Sequence, residues 1–288
     1  MQADELVKAG RLDEALAALQ QQVRDRPADA KLRVFLFQLL AVMGRWEKAL
    51  TQLNVAADMD AKNLLMAQIC RDGLAAEAFR AEVFAGRRQP LVFGEPAEWV
   101  GLLLQSNQTA ESGRHDAARE LRERAFEAAP TSSGTINGEP FEWIADADMR
   151  LGPMLEAVIQ GKYFWVPFAN IREIKIEPPT DLRDVVWLEA LFTWTNGGTS
   201  PGLIPTRYPG SESAEGALAL ARRTDWAERG DGASLGLGQR VLATDANEYP
   251  LLEVRHVVIG GPDAAADGES AGAGAAAAAD SAGEGSNG

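Results

Sequence analysis

The chain has 288 residues, 46% of them apolar and 24% charged, enough for one large or two ordinary globular domains with cores of their own. Its 42 acidic against 28 basic residues leave a formal charge of −14, which repels phosphate backbones and favours basic or amphipathic protein segments over nucleic acid as partners. A single cysteine, Cys70, excludes a disulfide framework or a cysteine-based metal site within one chain and suits a reducing cytosol. Its place in a helical pattern reads as a small buried core residue rather than a reactive thiol.

Asp4, Glu5 and Lys8 fall where a signal peptide needs an apolar core. The longest apolar run, 34–43, contains Gln38 and is too short to span a membrane. Residues 1–130 read as helical hairpins. Gly10-Arg11-Leu12-Asp13-Glu14-Ala15-Leu16 repeats 34 positions on as Gly44-Arg45-Trp46-Glu47-Lys48-Ala49-Leu50, the period of tetratricopeptide units. Leu12, Ala15, Leu16 and Leu19 share a helix face, and Trp46, Ala49, Leu50 and Leu53 repeat it, so the same face is expected to be buried in both copies. Between them Leu32, Phe35, Leu36, Leu39, Leu40 and Met43 form the stripe of a helix that Gly44 can close in the left-handed conformation.

The intervening unit is degenerate: a helix over roughly 63–85, a breaker run at 87–96 and a helix over 98–109. A third copy starts at Gly113, and Pro130 follows it by the same 17 residues that separate Gly10 from Pro27. Three or four imperfect hairpins are near the minimum for a stable array, so this domain is expected to lean on the second half of the chain.

Texture changes at Thr131-Ser132-Ser133-Gly134. Strand-like runs are predicted at 141–144, 163–167, 171–176, 185–194 and 251–259, with short helices at 154–160 and 217–227. The expected second domain, 131–260, is a small α+β unit with a curled, barrel-like sheet. Residues 261–288 are Ala/Gly-rich and acidic, with no large apolar side chain to offset ordering entropy, and read as a disordered tail; 275–279 is too short to persist as helix.

The residues offer little for catalysis. His115 stands at the Leu12/Trp46 position of the repeat, a helix-packing place, and His256 falls in a strand pattern on its solvent side; neither has a nucleophile context. Asp146-Ala147-Asp148 begins like a calcium loop, but Leu151 and Ala157 stand where Gly and Glu are required. Asp146, Asp148 and Glu156 are close enough in sequence for paired-carboxylate chemistry, but the favoured reading is that a neighbouring carboxylate clamps Arg150 at the turn before Gly152-Pro153. Gly236-Leu237-Gly238 lacks the third glycine and following helix of a dinucleotide site.

Several longer motifs are distinctive together. They are Phe141-Glu142-Trp143-Ile144, Asp146-Ala147-Asp148-Met149-Arg150-Leu151-Gly152-Pro153 and Gly161-Lys162-Tyr163-Phe164-Trp165-Val166-Pro167-Phe168. After them come Pro179-Thr180-Asp181-Leu182-Arg183-Asp184-Val185-Val186-Trp187, Leu203-Ile204-Pro205-Thr206-Arg207-Tyr208-Pro209-Gly210-Ser211-Glu212 and Arg223-Thr224-Asp225-Trp226, then Gly236-Leu237-Gly238-Gln239-Arg240. In this order they closely resemble the ImpE family, also called TagJ or SciE, accessory proteins of bacterial type VI secretion. Phe84-Ala85-Gly86, Pro90 and Trp99 resemble the same family's first domain, and the likeness covers about residues 5–258. It implies a cytoplasmic protein with a helical superhelix followed by an α+β barrel-like domain, without enzymatic activity or cofactor. It further implies binding to the N-terminal segment of the small sheath subunit, TssB, within the cycle in which the ClpV ATPase takes the sheath apart. The acidic tail departs from the family pattern.

Two partner surfaces are expected. Repeat geometry places Val34, Gln38 and Ala41 of one hairpin, and Leu103 and Asn107 of another, towards a groove that can hold an amphipathic helix, unless Val34 and Leu103 are inter-repeat core. In the second domain Asp146, Asp148, Arg150, Arg183, Asp184, Arg207 and Tyr208 form either a polar recognition site or a buried ion-pair network that fixes the domain's turns. The alternative function is a hydrolase using Asp146 and Asp148.

Overall fold

A computed structural model describes residues 2–95 and 97–260; the expected tail, 261–288, lies outside the described residues. The chain opens with α1 (Ala3–Lys8), α2 (Leu12–Asp25), α3 (Ala30–Val42), α4 (Trp46–Met59) and the long α5 (Leu64–Phe84). The repeat signature marks the corners. The Gly10 N–H reaches the Val7 carbonyl and the Arg11 N–H the Leu6 carbonyl; Gly44/Arg45 and Gly113/Arg114 make the same two bonds. Each glycine has positive φ, between +64° and +77°, as this type of helix cap requires. Each following arginine takes nearly one conformation, φ about −90° and ψ 60–69°, and starts the next helix.

On α2, Ala15, Leu16, Leu19 and Val23 are buried, and on α4 Ala49, Leu53, Ala56 and Ala57. The two copies differ at one place: Leu50, the counterpart of buried Leu16, is 37% exposed, so the expected equality of the two faces is corrected there.

The degenerate unit has a structural consequence. After α5 the chain runs out to β1 (Leu91–Val92), then returns in α6 (Glu98–Glu111) and α7 (His115–Ala128). Strands β2 (Gly134–Ile136), β3 (Glu139–Phe141), β4 (Ile144–Asp146), β5 (Met154–Ile159), β6 (Lys162–Pro167) and β7 (Ile171–Ile176) succeed them. Next come β8 (Trp187–Trp194), β9 (Thr199–Pro205), the single-turn α8 (Gly216–Ala219), β10 (Thr224–Glu228), β11 (Ser234–Gly238), β12 (Val241–Thr244), β13 (Glu248–Pro250) and β14 (His256–Ile259). The main sheet has the order β1-β6-β5-β9-β8-β7-β14-β2-β3; β13-β12-β4 and the β10-β11 hairpin form two smaller sheets. Residues 91–92, from within the helical part, thus pair in parallel with Phe164 and Trp165 of β6.

Ile136 of β2 and Leu155 and Val166 of β5 and β6 share one apolar cluster although their strands are far apart in the sheet order, so the sheet curls around that cluster. Its other face carries Met154, Val158, Tyr163, Trp165, Trp187 and Leu203 into a second cluster continuous with the helices. The expected helix over 154–160 is corrected by this arrangement. All six residues of β5 are buried because one face meets the inner core and the other meets α5, so the run lost the alternation that marks a half-exposed strand. The helix expected over 217–227 is one turn long; Ala221 adopts φ +52° and the chain then enters β10. Of the expected strand 251–259 only 256–259 is paired in the sheet, after a 3-10 turn at Leu251–Glu253.

The helical corners dock directly on the second domain. A side chain at Gly216 would stand 2.1 Å from the Gly10 carbonyl oxygen, and one at Gly44 would stand 2.5 Å from Glu212 Cγ. Trp46 packs on Trp187 with ring centroids 6.1 Å apart, and Arg222 donates to the Val7 and Lys8 carbonyls. The array leans on the sheet domain along its length.

Candidate functional site: a charged seam between helices and sheet

On α5, Glu77 and Arg80 are one turn apart and buried, on a helix side that otherwise presents Leu74, Ala76 and Val83. Arg80 grips Glu156 of β5 with Nε at 2.6 Å and Nη2 at 3.0 Å, and Nη2 also donates to the Arg207 carbonyl at 2.7 Å. Glu77 accepts from Arg80 Nη1 at 3.4 Å and from Trp187 Nε1 at 2.9 Å. Glu156 further accepts from Arg240 and from the Tyr163 hydroxyl, which in turn accepts from Trp165 Nε1 at 2.8 Å. Arg240 spans to Asp146 and donates to the Pro205 carbonyl. Asp146 Oδ1 takes the Tyr208 hydroxyl at 3.0 Å and the Asp148 N–H at 2.9 Å. Asp148 closes the series, accepting from Arg150 and from the Gly236 N–H at 2.9 Å.

Arg80, Arg150 and Arg240 therefore pair with Glu77, Asp146, Asp148 and Glu156, and the Arg207 guanidinium, which makes no salt bridge but feels the Glu77 charge, brings the buried set to balance. Burial pushes Glu156 up, but Arg80 and Arg240 outweigh it and hold the carboxyl down at about 2. For Asp146 burial wins over Arg240, with Asp148 adding to it, and the carboxyl rises to about 6. Burial lowers the Arg207 guanidinium to about 10; its Nη1 donates to the carbonyls of Val42, at the end of α3, and Ala219. A second buried pair ties Arg122 of α7 to Asp231 at 2.6 Å, with Arg229 bound to the same carboxylate.

The structure brings Asp146, Asp148, Arg150, Arg207 and Tyr208 together in or beside this seam. Arg183 and Asp184 lie apart from it: Asp184 caps the turn at Thr180 and Asp181, and Arg183 sits 3.1 Å from Glu189. As an exposed polar recognition site this group is corrected, because Asp146, Asp148, Asp184, Arg207 and Tyr208 are buried. The pair expected for hydrolysis, Asp146 and Asp148, is buried with them. A cavity of about 440 Å³ is lined by Trp143, Asp146 and Ala147; the Asp146 and Asp148 side chains are buried and engaged by Arg240, Arg150, Tyr208 and backbone N–H groups.

The groove expected across the hairpins is corrected as well. Gln38, Ala41 and Leu103 are buried, Val34 is half-buried, and Asn107 spends its amide on the Arg150 carbonyl at 2.8 Å. The Asn107 amide of α6 and the Val42 carbonyl at the end of α3 are both bonded to the second domain.

Cys70 is buried, which pushes its thiol up to about 12. His115 packs beside Gly230 at the start of α7, and His256 Nε2 lies 2.7 Å from Glu173. Sequence reasoning missed Glu77, Arg80, Tyr163 and Arg240 as members of the seam. The available signal was an acid and a base one turn apart on the otherwise apolar side of a helix. Among the described residues, no group of three or more His, Cys, Asp or Glu side chains is placed to hold a metal ion, and no helix is long and apolar enough to cross a membrane.

Residues 138–258 match the family described as ImpE protein, and residues 6–70 match the tetratricopeptide repeat. The chain is 49% identical over 258 residues to a Pseudomonas aeruginosa protein, the type VI secretion system accessory component TagJ, covering 89% of this chain and 90% of that one. It also resembles the crystal structure of protein VPA1032 from Vibrio parahaemolyticus, with a TM-score of 0.81 at 27% identity over 91% of this chain and 98% of that one.

Proposed function

The chain belongs to the ImpE (TagJ) family, and on that premise we propose that it is a non-enzymatic adaptor of a bacterial type VI secretion system. In this reading it works in the cytoplasm, binds the N-terminal segment of the small sheath subunit, TssB, and acts in the ClpV-linked cycle of sheath assembly and disassembly. The observation that carries the reading is the state of the carboxylates. Those grouped closely enough for acid–base work are buried and used in ion pairs that join helices to sheet, which is the economy of a rigid binding body. The acidic balance of the chain adds support, since it favours a basic or amphipathic peptide.

The test is capture of the purified small sheath subunit by the immobilised full-length chain. Retention of the intact subunit and loss of retention when its N-terminal segment is deleted is the expected result. Equal retention of both forms refutes this mechanism.

A further inference from the structure

Beyond the seam, α5 and the helix-side face of the sheet leave an apolar trough. A cavity of about 320 Å³ opens between Ile69 and Asp72 of α5 and Leu191, Pro201 and Leu203 of β8 and β9. Leu191 is 42% exposed, and Leu65, one turn before Ile69 on α5, is 71% exposed, so the apolar floor continues to open solvent. Large aliphatic side chains that stay this exposed beside a concave surface are placed to be covered.

The margin of the trough is acidic: Asp72, Glu177 and Glu189 line it. Two neighbouring cations are already engaged, Arg183 with Glu189 at 3.1 Å and Lys175 with Glu173 at 3.1 Å. Among the described residues no basic side chain lies within salt-bridge distance of Asp72 or Glu177. The trough therefore presents uncompensated negative charge next to apolar surface, on a chain with a large acidic excess.

Backbone pairing decides the form of the occupant. β8 is hydrogen-bonded on both sides, to β7 and β9, and β9 lies between β8 and β5. On its other side β9 meets β5 only at Leu203, and the rest of that edge carries Pro201, which has no N–H to donate, so it is a poor template for an extended peptide and an occupant is read through its side chains, as an amphipathic helix laid in a groove is. We propose that this trough docks an amphipathic helix of a protein partner, with apolar side chains towards Ile69, Leu191 and Leu203 and Lys or Arg beside Asp72 and Glu177. The adaptor reading above supplies only the partner's identity; the trough rests on its own geometry and charge.

Two fluorescent peptides test this with the full-length chain by anisotropy titration. One is the N-terminal segment of the small sheath subunit, and the other a designed Leu/Lys amphipathic helix with a scrambled control. Leu191→Lys and Glu177→Lys, both at exposed positions, are expected to weaken binding of either peptide by about tenfold or more while melting is unchanged. Sheath-peptide binding that neither substitution alters overturns the trough and leaves the adaptor reading standing. Trough-dependent binding of the designed helix without sheath-peptide binding does the reverse. Binding of neither peptide overturns both.

Discussion

Replacing Arg80 by alanine isolates the seam that joins the two domains. The guanidinium makes two bonds to Glu156, one to the Arg207 carbonyl and one to Glu77, all buried. Glu156 retains Arg240 and Tyr163, and Glu77 retains Trp187, but the charge balance is broken inside the protein and a space is left between α5 and β5. Removing one partner of a buried pair costs about 3–5 kcal/mol. For a chain of this size each kcal/mol lowers the melting temperature by about 2 °C, so Arg80→Ala is expected to melt about 6–10 °C below the parent. Arg80→Lys keeps the charge but loses the planar fork, so it should fall between the two. Scanning calorimetry reads both the shift and the number of transitions. If the seam couples the domains, the parent melts in one transition and Arg80→Ala broadens or splits it. A shift under about 2 °C, with the transition unchanged, would refute the reasoning by showing that the pair adds nothing once relaxation and hydration are allowed.

The corner glycines should separate backbone cost from docking cost. Gly113→Ala meets open space and is expected to cost about 1–2 kcal/mol for its positive φ alone, whereas Gly44→Ala also collides with Glu212 and should cost clearly more by thermal melt; equal losses would contradict the docking. Acid should destabilise the fold. Glu156 is held at about 2 against an ordinary 4.5, so its contribution is complete above about pH 4.5 and is lost as pH falls towards 2; Asp231 is lowered too and acts in the same direction. Asp146, raised to about 6, has the opposite sign: its contribution is complete below about pH 3.8 and is lost as pH rises through 6. These groups together place greatest stability near pH 4.5, since above it Glu156 adds nothing more while Asp146 is losing its contribution, and a melting temperature unchanged from pH 4.5 to pH 3 would contradict the assignment. The Cys70 thiol, buried and raised to about 12, should resist a thiol reagent at pH 8 in the native protein and react once guanidinium unfolds it; prompt native labelling would refute its burial.

Local and periodic features were determined by the sequence alone. The 34-residue spacing of Gly10 and Gly44, and the off-register copy at Gly113, located helix corners because a positive-φ cap and a small residue on the next helix are local requirements. Strand β7 was legible because Ile174 and Ile176 alternate with Lys175, and the motif order from 141 to 240 pointed to the family. Three matters were decided only by tertiary structure. β5 hid as a helix because both its faces are covered, which erases the periodic signal. Gln38, Ala41 and Leu103, expected along a peptide groove, are buried, and beside them Val42 and Asn107 bond to the second domain, an outcome that depends on how two surfaces far apart in the chain meet. The polar motif residues became a buried seam because Glu77 and Arg80 arrive from α5 to complete it, and no spacing along the chain records that Arg80 and Glu156, 76 positions apart, will share a bond.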